Sequence, residues 1–182
     1  MTDVVLPRFT YHPDPLGTGS IIPIPTRCVV CGLERSHVYG ALPFADREFE
    51  RSICPWCIFD GSAATLLQAT FNDPDGDEWI GIPDRVVDTI LHRTPGFTGW
   101  QHERWLAHCG DAMVFLGPMG YAELLEVGAE ALKAVAGEFE DEGWSSGQLG
   151  RYLRSLERDG EPTAYLFRCR HCGMLRGYSD FT

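Results

Sequence analysis

The sequence predicts an α+β chain: a treble-clef-like zinc module at the N-terminal end, then a helix-rich α+β part that closes in a β-hairpin. Three observations carry this. Cys28-Val-Val-Cys31 and Cys54-Pro-Trp-Cys57 stand 22 residues apart, and two such pairs supply the four soft ligands of a closed tetrahedral zinc site. Apolar residues recur at helical spacing through much of the second half. Near the end, two apolar runs flank a third pair, Cys169-Arg-His-Cys172, the pattern of a hairpin with a cysteine turn at its tip.

Taken in order, the leader carries prolines at 7, 13, 15, 23 and 25. That density forbids a helix and predicts an extended arm wrapped over the rest. After the first cysteine turn, residues 36–39 and 41–44 suit short strands. Cys54-Pro55-Trp56-Cys57 leads into a predicted helix over 63–69, so that turn, hairpin and a second pair at a helix start follow one another as in a treble clef. A helix start also favours thiolate charge. The polar stretch Asn72-Asp73-Pro74-Asp75-Gly76-Asp77-Glu78 is read as a boundary, which gives 1–71 as arm plus zinc module and 72–182 as the helix-rich region.

Beyond it, Asp84 can cap a helix bearing Val86, Val87, Ile90 and Leu91, ended by Pro95-Gly96. Residues 112–116 read as a buried strand. Tyr121, Leu124, Leu125, Gly128, Leu132 and Val135 share one helical spacing, and Leu149, Tyr152, Leu153 and Leu156 share another behind Ser145 or Ser146. Residues 163–168 and 174–178 form the terminal hairpin. Its tip repeats the first turn: Cys28-x-x-Cys31-Gly32-x-x-Arg35 and Cys169-x-x-Cys172-Gly173-x-x-Arg176 share a pattern in which glycine permits a turn that aims backbone N–H groups at sulfur.

At 182 residues with 44% apolar composition, the chain can bury a core without leaning wholly on metal. No apolar run approaches the ~20 residues of a membrane span, and the opening lacks the basic and apolar regions of a signal peptide. The expectation is a cytoplasmic protein without membrane insertion. There, an odd count of seven cysteines points to thiolate ligands rather than disulfides. The net charge of −11, lowered by a further two when four thiolates hold one zinc ion, argues against a general nucleic-acid binder. It suits a protein partner of basic charge, though solubility explains an acidic surface equally well.

Cys28, Cys31, Cys54 and Cys57 are thus the expected zinc ligands. Cys54-Pro-Trp-Cys57 before a helix is also the form of a thiol–disulfide active site, but such a site should follow a βαβ pattern and here follows another cysteine pair. Cys169 and Cys172 would complete a second zinc site only with two more donors, from Cys109 with His108, His102 or His171; a metal-free hairpin tip stands beside that reading. A zinc ribbon joining Cys28, Cys31, Cys169 and Cys172 is the third arrangement. The segment from Trp100 to Asp111 gathers His102, Glu103, His108 and Asp111, which could serve acid–base chemistry. The simpler reading is a helix whose tryptophans reach the core. His12 and Asp14 likewise fit a wrapping arm better than a site. Gly143-Trp-Ser145-Ser-Gly147 lacks the preceding apolar strand of a nucleophile elbow, and the Asp73 to Asp84 stretch lacks a calcium loop's glycine position and terminal glutamate.

Four phrases in order resemble the CbrC family of cysteine-rich bacterial proteins named in connection with colicin tolerance. They are Leu6-Pro-x-Phe9-x-Tyr11-His12-Pro13-Asp14-Pro15, Cys54-Pro-Trp-Cys57-x-x-Asp60-Gly61-Ser62-Ala63-Ala64, Trp105-Leu-x-His108-Cys109-Gly-Asp111 and Phe167-Arg-Cys-x-x-Cys172-Gly. The resemblance spans nearly the whole chain and implies its cysteine positions but no catalytic residues. It suggests a protein-binding or immunity-like module linked to toxin tolerance. The alternative is an enzyme, either a thiol oxidoreductase using Cys54 and Cys57 or one built on the segment from Trp100 to Asp111.

Overall fold

The computed structural model describes residues 5–101, 103–139 and 143–180. The chain packs as two compact units. One runs to Thr98 and takes in Glu103–Ala112, and the other comprises 99–101 and the chain from Met113 onward. Helices and small sheets are mixed throughout, as an α+β reading requires.

In the first unit the proline-rich leader contains no helix among the described residues. It contributes β1 (Ile21–Ile22) and β2 (Thr26–Arg27), and its aromatic residues are its anchors. Phe9, Tyr11 and His12 are buried. Tyr11 donates its hydroxyl to Asp111 Oδ1 at 2.6 Å. His12 Nδ1 lies 2.7 Å from the Pro95 carbonyl and Nε2 lies 2.7 Å from Thr18 Oγ1. A carbonyl only accepts, so Nδ1 carries the proton and Nε2 accepts from Thr18. Burial pulls the His12 pKa down to about 4, against the Pro95 bond, which raises it. The leader is therefore a wrapping arm pinned by a neutral imidazole.

β3 (Glu34–Arg35) pairs with β2, and β4 (Val38–Tyr39) returns to pair with β1, both antiparallel. The predicted strand at 41–44 is absent. Pro43 offers no ladder donor, and only Phe44 bridges, to Thr70. The helix expected over 63–69 is α2 (Ser62–Leu67), and the second cysteine pair starts a separate short helix before it, α1 (Pro55–Phe59), the two parted by Asp60-Gly61 with Gly61 at φ +81°. α3 (Asp84–Arg93) follows with Pro83, not Asp84, at its cap. Phe71 N–H donates to the Leu91 carbonyl, and the Asn72 amide donates to the Ile90 and Thr94 carbonyls; the first unit thus continues past residue 71. Among the described residues, the segment from Trp100 to Asp111 contains no helix. β5 (Ala107–His108) and β6 (Asp111–Ala112) form a hairpin. Its two-residue loop, Cys109-Gly110, holds both residues at positive φ, the twist a tight hairpin requires.

The second unit is an antiparallel sheet in the order β7 (Val114–Met119), β8 (Thr163–Arg168), β9 (Leu175–Asp180). The predicted terminal hairpin is present and gains a third strand. α4 (Tyr121–Val127) and α5 (Ala129–Ala136) divide the single predicted helix at Gly128, whose φ of +124° no regular helix allows. α6 (Ser146–Ser155) starts at Ser145, whose hydroxyl accepts from the Gln148 N–H. That capping role disposes of the G-x-S-x-G match. Leu124, Ala131, Val135 and Leu156 pack with Ala164 and Leu166 of β8 as the core. Among the described residues no helix is long and apolar enough to cross a membrane.

Candidate metal centre

The first cysteine turn is the tip of the β2–β3 hairpin. Cys28 N–H donates to the Leu33 carbonyl at 2.9 Å and Gly32 N–H to the Cys28 carbonyl at 2.8 Å. Closing so tightly needs a left-handed residue, which Gly32 supplies at φ +68°. The chain before the second pair is drawn alongside by Val29 N–H bonding the Ser52 carbonyl and Tyr39 N–H bonding the Ile53 carbonyl. Cys54 then caps α1, Pro55 occupies its first position and Cys57 lies within the first turn. Proline suits that position because its missing N–H would have no partner there.

These local choices bring four sulfurs together. The Sγ atoms of Cys28, Cys31, Cys54 and Cys57 all lie within 4.8 Å of one another. Cys54 and Cys57 are 3.5 Å apart, and Cys28 and Cys57 are 3.9 Å apart. A tetrahedron with Zn–S bonds of about 2.3 Å has sulfur–sulfur edges of about 3.8 Å, whereas a disulfide requires about 2.05 Å. The donor set therefore fits a zinc-sized ion and no bridge. No disulfide joins any of the seven cysteines. Cys28, Cys54 and Cys57 are buried in one cluster with Phe9, Ile21, Tyr39, Ile53, Ile58 and Phe71, so the sulfurs belong to the core of the unit they join.

The electrostatics suit a bound cation. Cys28 accepts a hydrogen bond from the Cys54 thiol and is further stabilised as thiolate by nearby backbone N–H groups, including that of Cys54 at 3.4 Å; together these pull its pKa down to about 4. Cys54, hydrogen-bonded to Cys28 and buried, is pushed upward. Burial likewise raises Cys57, to about 11. Four thiolates cannot share so small a space without a positive charge among them. Arg35 supplies a fixed one from outside. Its pKa is raised despite desolvation because it bonds Cys31 and feels the charges of Cys54, Cys31 and Cys57. Its guanidinium carbon sits 4.8 Å from the centre of the Trp56 ring. The repeated C-x-x-C-G-x-x-R pattern contained Arg35, but its role emerges only once the hairpin folds back.

Convergence of the first four cysteines removes the zinc-ribbon arrangement, since Cys28 and Cys31 already face Cys54 and Cys57. Cys169 and Cys172 occupy the β8–β9 tip, the former buried and the latter exposed. His171 stands between them in sequence. Cys109 is exposed on the β5–β6 loop with its Sγ 3.2 Å from His108 Nδ1. Asp111 is buried and accepts from Tyr11 and from the Ala112 N–H, which places it in the fold's framework. Trp105 is core, Trp100 is half exposed, and His102 lies outside the described residues.

The sequence profile of an uncharacterised protein family, UPF0167, matches residues 6–181. UPF0167 proteins of Mycobacterium bovis and Mycobacterium tuberculosis are each 46% identical to this chain over 176 residues, covering 97% of it and 94% of their own length. A UPF0167 protein of Pseudomonas aeruginosa is 42% identical over 178 residues, 97% of this chain and 98% of that relative. No solved structure matches.

Proposed function

The chain belongs to the UPF0167 family, and from that footing we propose that it is a zinc-stabilised binding module rather than an enzyme. The observation that carries this is the closed set of four sulfurs, three of them buried. Structural zinc sites use all four positions for protein ligands, whereas catalytic ones keep a position for water or substrate. The order of turn, short strands and a second pair at a helix start supports a treble-clef reading of the first unit. A thiol–disulfide cycle at Cys54 and Cys57 is less well supported, because two further sulfurs lie within reach of both.

The partner is a protein, and the charge of −11 favours a basic one through electrostatic steering. The resemblance to the CbrC family supports immunity or tolerance toward a toxin such as a colicin as the setting, in the cytoplasm of a bacterium. A second ion at Cys169 and Cys172 needs two more donors, for which the sequence offers Cys109 with His108, His102 or His171. Elemental analysis of the purified chain tests the metal. One zinc supports the first centre alone, two support both, and none overturns the reading. A stoichiometric, salt-sensitive complex with a basic protein supports the binding role; dithiol-dependent turnover refutes it.

A further inference from the structure

The four sulfurs of the first unit are not equally reachable. Cys28, Cys54 and Cys57 are 1%, 1% and 3% exposed, whereas Cys31 is half-buried at the edge of the cluster that encloses the other three. Its neighbours on the turn also face solvent, Val29 at 48% exposure and Leu33 at 52%. A small reagent arriving from solution therefore meets Cys31 first. Arg35 bonds the same sulfur, with its guanidinium held 4.8 Å from the centre of the Trp56 ring. Oxidation of cysteine selects thiolates that are accessible and stand beside a positive charge. Cys31 meets both conditions, and the three buried sulfurs fail the first.

We propose that Cys31 is a site of modification by peroxide and that, with Cys28 as its resolving partner, it makes the sulfur centre a redox switch. The switch rests on the reading of these four cysteines as a zinc centre. The Cys31 thiolate attacks one oxygen of the peroxide. An S–O bond forms, the O–O bond breaks, and the electron pair leaves on hydroxide beside Arg35; Cys31 is now a sulfenic acid. The Cys28 sulfur lies over the same turn, where the N–H groups of Val30 and Cys31 bond it, and within 4.8 Å of the Cys31 sulfur. Its thiolate attacks that sulfur, the disulfide forms, and a second hydroxide leaves. Two electrons have passed from two thiolates to one peroxide.

The new bond joins two residues of one turn and leaves Cys54 and Cys57 as the only thiolates of the centre, both on the α1 side. The β2–β3 hairpin and α1 then share no centre, and the core around Phe9, Ile53 and Ile58 loses the cross-link that closes it. One peroxide acts once per centre, which separates this event from a catalytic cycle at Cys54 and Cys57.

Hydrogen peroxide added to the full zinc-loaded chain tests the switch, with released zinc read by a chromogenic chelator and cysteine products mapped by mass spectrometry. Among the four ligands, the first disulfide should be Cys28–Cys31, and excess dimedone should trap sulfenic acid on Cys31. Zinc should be released and the melt of the first unit lost, and dithiothreitol with added zinc should restore both. Cys31→His keeps a zinc donor at that position and should slow release at least about tenfold. The products are mapped on the parent chain, so they decide the matter even where the variant holds zinc poorly. A first disulfide between Cys54 and Cys57, dimedone on a buried ligand ahead of Cys31, zinc retained through peroxide treatment, or loss that dithiothreitol does not reverse would overturn the proposal. Zinc content before treatment separates the two readings: a chain that carries no zinc overturns the metal centre itself, whereas a loaded chain indifferent to peroxide overturns the switch alone.

Discussion

The turns at Cys28–Cys31 and Cys169–Cys172 have the same backbone. In each, the first cysteine's N–H bonds the carbonyl five residues on (Leu33, Met174), and the glycine N–H bonds the first cysteine's carbonyl. Each closes on a left-handed glycine, Gly32 at φ +68° and Gly173 at +76°. Their surroundings differ. The first turn ends a hairpin of two-residue strands and meets a second cysteine pair inside its own unit, where the sulfurs are part of the core. The second ends a six-residue ladder between β8 and β9, with an apolar core on the sheet beneath it. One unit has two-residue strands with the sulfurs in its core, and the other has a six-residue ladder with an apolar core of its own. A C-x-x-C-G turn is a local device, and the fold around it decides how much stability depends on it.

The largest test of this contrast is Cys54→Ser. A structural zinc ion contributes about 10–16 kcal/mol to folding, comparable with the about 5–15 kcal/mol of a whole domain. The variant should lose zinc and the cooperative melting of the first unit, as followed by elemental analysis and circular dichroism. An unchanged melt in a metal-free variant would end the comparison.

The next largest effect asks whether metal alone holds the first unit. His12 is buried neutral, with a folded pKa of about 4 against 6.5. A depressed pKa means the unfolded chain binds the proton more readily, so the contribution is complete above pH 6.5 and disappears as pH falls toward 4. The loss is about 3 kcal/mol. His12→Gln can still donate to Pro95 and accept from Thr18 but does not titrate. Denaturant curves at pH 7 and 4.5 should therefore show a steeper acid loss in the parent than in the variant, beyond any loss of zinc common to both.

A smaller effect belongs to Arg35. Replacement by Gln removes the fixed positive charge beside the sulfurs and should weaken zinc binding by about tenfold, measured by chelator competition, with the fold retained. Smallest is Cys172→Ser. At an exposed tip on a stable ladder it should cost about 1 kcal/mol or less and leave the zinc of the first centre untouched. A drop in total zinc by one ion per chain would show that the second turn also carries metal. A collapse of the whole chain would show that the turns do not differ in the way described.

Much of this was readable from residue order, and the failures share a cause. The cysteine pairs, the prolines of the arm, the Ser145 cap and the terminal hairpin are local signals, each set by a few neighbouring residues. Gly128 divided a predicted helix because apolar spacing counts side chains on a face and does not register a single backbone angle. The hairpin around Cys109-Gly110 was missed because Trp100 and Trp105 suggested a helical face, while the loop was set by two positive φ angles. The gathering of Tyr39, Phe71, Phe97 and Trp105 around one cleft had no sequence signal at all, since they come from four separate stretches.

The sequence by itself determined the chemistry available to this protein. Soft ligands came in pairs, each pair on one turn, within an acidic chain that has apolar residues enough for a core. Tertiary structure decided which pairs met, that Arg35 would stack on Trp56 and reach Cys31, and that Tyr39, Phe71, Phe97 and Trp105 would come together from four separate stretches. Turn geometry is fixed by adjacent residues, whereas convergence depends on long-range packing, which no short stretch of sequence encodes.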